Sequence, residues 1–166
     1  MSVNIRPGPT IPQQRALSKI ESAIGAKFPD QYVAFLAKFG AGDPDSNVLS
    51  GDERVSVSRF LTIGADEEYS MEKSLEDYSD RIPDAFFPVA EAAGGNLILM
   101  NSKDGSIYFW DHELELKSPN AAVSKVANSF DEFLNLLQPL TDADIPKHEV
   151  VSVKVNPDFA KKFGLK

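Results

Sequence analysis

The chain contains no cysteine, and His112 and His148 are its only histidines among 166 residues. Without thiols, disulfides, thiolate zinc sites, iron–sulfur clusters and cysteine nucleophiles are excluded. With so few imidazoles, a zinc site built from several histidines is excluded as well. No apolar run approaches the roughly 20 residues that a membrane span needs. The N-terminal stretch MSVNIRPGPTIPQQ has no apolar segment of the secretory type. There is no G-x-x-x-x-G-K-[ST] phosphate loop, no G-x-G-x-x-G fingerprint and no H-E-x-x-H. There is no G-x-S-x-G nucleophile elbow either. Positive charge is the other shortage: 17 Lys and Arg stand against 25 Asp and Glu, a net charge of −8. An acidic surface repels phosphate backbones and anionic lipid, so nucleic acid and membrane are not expected partners.

What is there is an ordinary globular balance, 42% hydrophobic and 25% charged, which argues against disorder along the whole chain. The length fits one domain with a core large enough to need no staples. A cytoplasmic location is the expectation. The acidic excess is concentrated. Between Asp43 and Glu91 there are 13 acidic and 4 basic residues, while the rest of the chain is nearly balanced. The densest part runs through Asp66, Glu67, Glu68, Glu72, Glu76, Asp77 and Asp80. A solvated helix face and loop is the plain reading of such a run. The sharper one is a surface that meets a basic protein, because complementary charge raises the rate of encounter.

Periodicity sets the elements. Pro7, Gly8, Pro9 and Pro12 make residues 1–12 an extended arm. Leu17, Ile20 and Ile24 recur at helical spacing until Gly25, and Tyr32, Phe35, Leu36 and Phe39 do so until Gly40. Residues 40–53 read as a long polar loop. Val55 and Val57 alternate with serines in a strand directed toward Ile63. Met71, Leu75, Tyr78 and Ile82 fit a helix that Pro83 and Pro88 end, and Val89–Ala90 begins a short strand. Leu97–Met100 and Ile107–Trp110 flank Ser102-Lys103-Asp104-Gly105, a hairpin. Ser129 and Glu132 form a capping box ahead of Phe130, Phe133, Leu134 and Leu137, and Pro139 closes that helix. Beyond it, Val151, Val153 and Val155 suggest a strand and Asn156-Pro157 the start of a short helix to Phe163. The mixed order of elements points to an α+β fold in a single domain rather than a doubly wound sheet.

Chemistry-bearing residues are few. Asp111, His112 and Glu113 are adjacent, but on a strand neighbours point to opposite faces and the three side chains do not converge. A strand-end role for His112 is therefore preferred over metal or acid–base work. Trp110 reads as core or a partly buried lid rather than a ligand platform. Gly40, Gly42, Gly94 and Gly95 read as turns that need positive φ rather than a ligand cradle.

Three stretches together carry a resemblance: IGAKFPDQYVAFLAKFGAG at residues 24–42, AEAAGGNLILMNSKDGSIYFWDHE at 90–113, and VANSFDEFLNLL at 126–137. In this order and spacing they resemble the SUKH superfamily, the Smi/Knr-like domain. The resemblance covers residues 13–138. It leaves the arm 1–12 and a C-terminal extension, 139–166, outside. It implies an α+β fold, a mostly antiparallel central sheet with helices packed against it, and a binding protein rather than an enzyme, with no cofactor and no catalytic residue set to carry over. Bacterial members look like immunity proteins that neutralise a toxin, often a nuclease, of a contact-dependent or polymorphic system; fungal members are cell-wall regulators. Gly25, Pro29, Gly94, Gly95, Asn96, Trp110 and Phe130 are read as fold-defining.

The leading expectation is thus a protein that binds a basic toxin domain, as a monomer or weak homodimer. Its contacts are expected in the 43–53 loop with Asp43 and Asp45, at Asp66, Glu67 and Glu68, and at Trp110, Asp111, His112 and Glu113. The alternatives are a small-ligand enzyme or sensor with a cleft near Asp111 and His112, and a regulatory scaffold with no toxin partner.

Overall fold

A computed structural model describes residues 3–64 and 68–139. In chain order the elements are β1 (Ile5–Pro7), α1 (Gln14–Ile24), α2 (Asp30–Phe39), β2 (Gly42–Pro44), β3 (Val48–Leu49), β4 (Asp52–Phe60) and α3 (Met71–Tyr78). There follow β5 (Phe86–Ala92), β6 (Asn96–Asn101), β7 (Ile107–Trp110), α4 (His112–Glu115), β8 (Val123–Ala127), α5 (Phe130–Leu136) and β9 (Leu137–Gln138). The named strands pair antiparallel in the order β1-β2-β4-β5-β6-β7-β8, with β3 joining β4 to β9 at the side.

Each helix is bounded as its residues dictate. Gly25 (φ 70°) and Gly40 (φ 64°) take the left-handed C-cap positions of α1 and α2, and their N–H groups bond back to Glu21 and Leu36 carbonyls. Ser70 caps α3 by accepting the Lys73 N–H at 3.2 Å. At α5 the capping box forms: Ser129 Oγ accepts the Glu132 N–H at 3.1 Å, and Glu132 accepts the Asn128 N–H at 2.6 Å.

The sheet is buried on both faces over β6 and β7, and this explains their unbroken apolar runs. Ile98, Met100, Ile107 and Phe109 face the helices, with Tyr32 and Phe35 of α2 and Phe130 of α5. Phe35 lies 4.9 Å from Phe60 and 5.0 Å from Phe130, centroid to centroid. Burying each such ring contributes about 1.5–3 kcal/mol. The alternate residues Leu97, Leu99 and Trp110 form a second cluster on the other face, beneath Ile82 and Ala122. Helix α3 links the two, since Met71 belongs to the helix-side core and Tyr78 packs edge-on to Trp110 at 5.6 Å.

Several expectations are corrected. Residues 40–53 are not a plain loop: they hold β2, β3 and the start of β4. Strand β2 exists because backbone can approach backbone there. A side chain on Gly42 (φ 119°) would overlap the Arg6 carbonyl oxygen. Pro88 does not end a segment; it lies inside β5 at a register shift, and pairing with β4 begins only at Ala90. Helix α3 stops at Tyr78, so Ile82 is buried from a turn instead. Helix α5 stops at Leu136, and Leu137 turns into β9. The strand at Val151–Val155, the helix to Phe163 and His148 lie outside the described residues.

The arm is part of the sheet. Strand β1 pairs Ile5 with Pro44 and Pro7 with Gly42, and Val3 and Ile5 are buried in the main core.

Candidate functional site

One row of cross-strand partners crosses the sheet on the face away from the main core. Arg6 stands opposite Asp43, Arg59 opposite Glu91, Glu91 opposite Leu97, Leu97 opposite Trp110, and Trp110 opposite Val123. Asp43 and Arg59 join the two halves: Arg59 Nε donates to Asp43 Oδ1 at 2.9 Å. The row is ionic over β1, β2, β4 and β5 and apolar from β6 onward. The Arg59 guanidinium carbon lies 4.1 Å from the Tyr69 ring centroid, a cation–π contact that fixes its orientation. Glu91 is half-buried. Burial pushes its carboxyl above the usual carboxylate range, Arg59 pulls it back, and Glu68 adds to the rise.

All four cations of the 43–91 segment are already engaged. Arg54 pairs with Asp52 at 2.7 Å, Arg59 with Asp43 at 2.9 Å, and Lys73 with Asp77 at 2.7 Å. Arg81 reaches out of the segment to Glu115 at 2.9 Å. Among the described residues Glu53, Glu68, Asp80, Asp84 and Glu91 make no ion pair. Among the described residues, the acidic surplus of this segment is therefore a surplus of carboxylates without an ion pair.

At the other end of the row, residues 111–117 form a short knob. Asp111 is an N-cap whose Oδ1 accepts the N–H groups of Glu113 (2.9 Å) and Leu114 (3.2 Å). The expectation of a strand end is corrected: the extended backbone ends at Trp110 because the next carboxylate starts a helical turn. Asn96 fastens the knob to the β5–β6 turn. Its Oδ1 accepts the His112 backbone N–H at 3.2 Å and lies 2.8 Å from His112 Nδ1, while its Nδ2 donates to the Ala93 carbonyl at 3.2 Å. Gly95 lies beside the imidazole with φ 82°, a left-handed conformation that glycine takes without strain. Arg81 completes the anchor by donating to Glu115 and lying 5.1 Å from the Trp110 ring centroid.

The expected contact residues are thus spread over the fold. Asp43 is engaged by Arg59, and Asp45 accepts the Asn4 N–H at 3.0 Å, so it holds the arm. Glu68 is exposed near Glu91. Asp66 and Glu67 lie outside the described residues. Asp111, His112 and Glu113 come together in one turn with His112 partly exposed. Trp110 is fully buried and offers no surface. Sequence reasoning missed Arg59 and Glu91 as organising side chains; Asn96, read as fold-defining from the Gly-Gly-Asn before β6, is the latch of the knob. Among the described residues no group of three metal-capable side chains gathers, and no helix is long and apolar enough to cross a membrane. A cleft of about 390 Å³ lies between the arm and α1, lined in part by Ile11, Arg15, Lys19 and Glu72, far along the chain from Asp111 and His112.

Comparison with known proteins agrees with this architecture. The family model described as SMI1 / KNR4 family (SUKH-1) matches residues 12–136. The SPbeta prophage-derived uncharacterized protein YokK of Bacillus subtilis (strain 168) is 30% identical over 172 aligned residues, covering 91% of this chain and 88% of that protein. The chain belongs to the SMI1/KNR4 (SUKH-1) family.

Proposed function

We propose that this chain is a non-catalytic binding protein that neutralises a basic toxin domain, of nuclease type, as the immunity protein of a polymorphic or contact-dependent toxin system. The observation that carries this reading is the engagement of every cation in the 43–91 segment, which leaves Glu53, Glu68, Asp80, Asp84 and Glu91 without an ion pair among the described residues. A nuclease needs cationic groups to hold phosphate. An anionic protein shadows that surface, with long-range charge setting the on-rate and buried anchors setting the lifetime. The resemblance to immunity proteins supports the same reading, as does the prophage origin of the Bacillus subtilis relative.

The test is binding of the purified chain to the product of the gene next to its own, followed by a salt titration. Binding that weakens steeply as ionic strength rises is expected. Salt-insensitive binding that survives charge reversal at Asp66, Glu67 and Glu68 removes the electrostatic account. Absence of binding and of protection against that product removes the immunity reading.

A further inference from the structure

We propose that the Asp111–Lys117 knob is the anchor of the protein interface: it docks into an apolar socket bordered by basic side chains on the partner. The large hydrophobic side chains exposed among the described residues are Ile11, Leu114 and Leu116, and two of the three sit on this one turn. Leu116 is 83% exposed and Leu114 38%. Exposed leucine on a mobile loop needs no explanation, but this turn is held from three sides. Asp111 caps it, Asn96 ties His112 to the β5–β6 turn, and Arg81 ties Glu115 to the Trp110 face. The turn follows the fully buried Trp110, whose ring centroid is 6.5 Å from that of His112. A rigid apolar projection binds with little ordering cost, which is what interface anchors require.

Charge selects the partner. Arg54 and Arg81 beside the knob are already paired with Asp52 and Glu115. Within the knob itself, Asp111 and Glu113 make no ion pair with any described residue, nor does Lys117, which leaves two carboxylates against a single ammonium. A socket with a cationic rim fits; an anionic one is repelled.

This inference rests on the binding reading above, and its test separates the two. The full chain and its variants are titrated against the product of the neighbouring gene. Leu116→Asp is expected to weaken binding by about tenfold or more, mostly through faster dissociation. Glu113→Lys is expected to slow association, and Lys38→Ala on α2 to change neither. Leu116→Asp is also expected to leave the melting temperature of the free chain unchanged, because the side chain is in water. Wild-type binding that the Leu114→Asp/Leu116→Asp variant retains in full overturns the knob while the immunity reading stands. A melting temperature lowered by several degrees shows the leucine covered by the rest of its own chain, and self-association abolished by Leu116→Asp shows a second copy as the occupant. Either result overturns the proposal. No binding by the wild-type chain overturns both readings.

Discussion

Arg59 stands directly across from Glu91 in the sheet, yet gives its hydrogen bond to Asp43 on the other neighbouring strand. Glu91 is left half-buried without an ion pair, and burial raises its carboxyl. A carboxyl raised in the folded state favours folding when protonated, and that favour is lost as pH climbs through the folded value. At neutral pH the charged Glu91 therefore burdens the fold. Glu91→Gln is expected to raise the melting temperature modestly at pH 7 and to have no advantage near pH 4. Thermal scans across that range read it, and a variant less stable than wild type at pH 7 contradicts the account.

The main chain of this fold is legible from residues and the ionic row is not. Helices α1, α2 and α5 announce themselves because their apolar residues repeat at helical spacing and glycine or a capping box marks the ends. Strands β6 and β7 do so through apolar runs around an Asp-Gly turn. Strand β2 has no such mark: Gly42-Asp43-Pro44 is turn-like in composition, and it is a strand only because β1 and β4 bracket it. Asp43 and Arg59 are 16 residues apart, and nothing local signals their bond. Asp111 misled in the opposite way, since a carboxylate after a strand can extend it or cap a helix; here it caps, and the partner that ties the turn down, Asn96, is 16 residues from His112 in the chain.

Glu21 makes a different use of burial. Its Oε1 accepts the Phe28 N–H at 2.9 Å and its Oε2 pairs with Lys27 at 2.7 Å, stitching the end of α1 to the start of the next segment. The Lys27 hydrogen bond first, and the Phe28 N–H after it, hold the carboxyl below its ordinary value against the opposing pull of burial. A lowered carboxyl contributes stability above the unfolded value and loses it as pH falls through the folded one. Glu21→Ala is expected to cost about 1–3 kcal/mol at pH 7, chiefly by stranding the buried Phe28 N–H. Glu21→Gln, which keeps an acceptor, is expected to cost less. Urea melts at pH 7 and pH 3 check this, and the gap between wild type and Glu21→Ala should narrow at the lower pH.

The arm is expected to be as firmly held as the sheet it joins. Gly40 and Gly42 both have positive φ, and a Cβ on either would overlap a carbonyl of the arm, Thr10 or Arg6. Gly42→Ala therefore combines backbone strain with a clash and is expected to cost about 1–3 kcal/mol. Its particular signature is local. Hydrogen exchange at Ile5 to Gly8 should accelerate far more than exchange at Leu97 to Met100. Equal acceleration of both would mean that the arm and the sheet open as one unit.

Trp110 and Asn96 divide the support of the knob between packing and hydrogen bonding. The indole is fully buried against Tyr78 and Arg81, yet its Nε1 has no hydrogen-bond partner. Trp110→Phe loses volume but no hydrogen bond, so it is expected to cost less than Trp110→Ala, which leaves a cavity worth about 3–5 kcal/mol. Asn96→Ala removes the acceptor for His112 without touching the core, and is expected to cost about 1 kcal/mol. The two kinds of change should separate in the complex. Asn96→Ala frees the turn that presents Leu116, so it should weaken partner binding more than its small effect on stability suggests. An Asn96→Ala protein that binds like wild type would show that the knob keeps its shape without the latch, leaving Asp111 and Arg81 as sufficient supports.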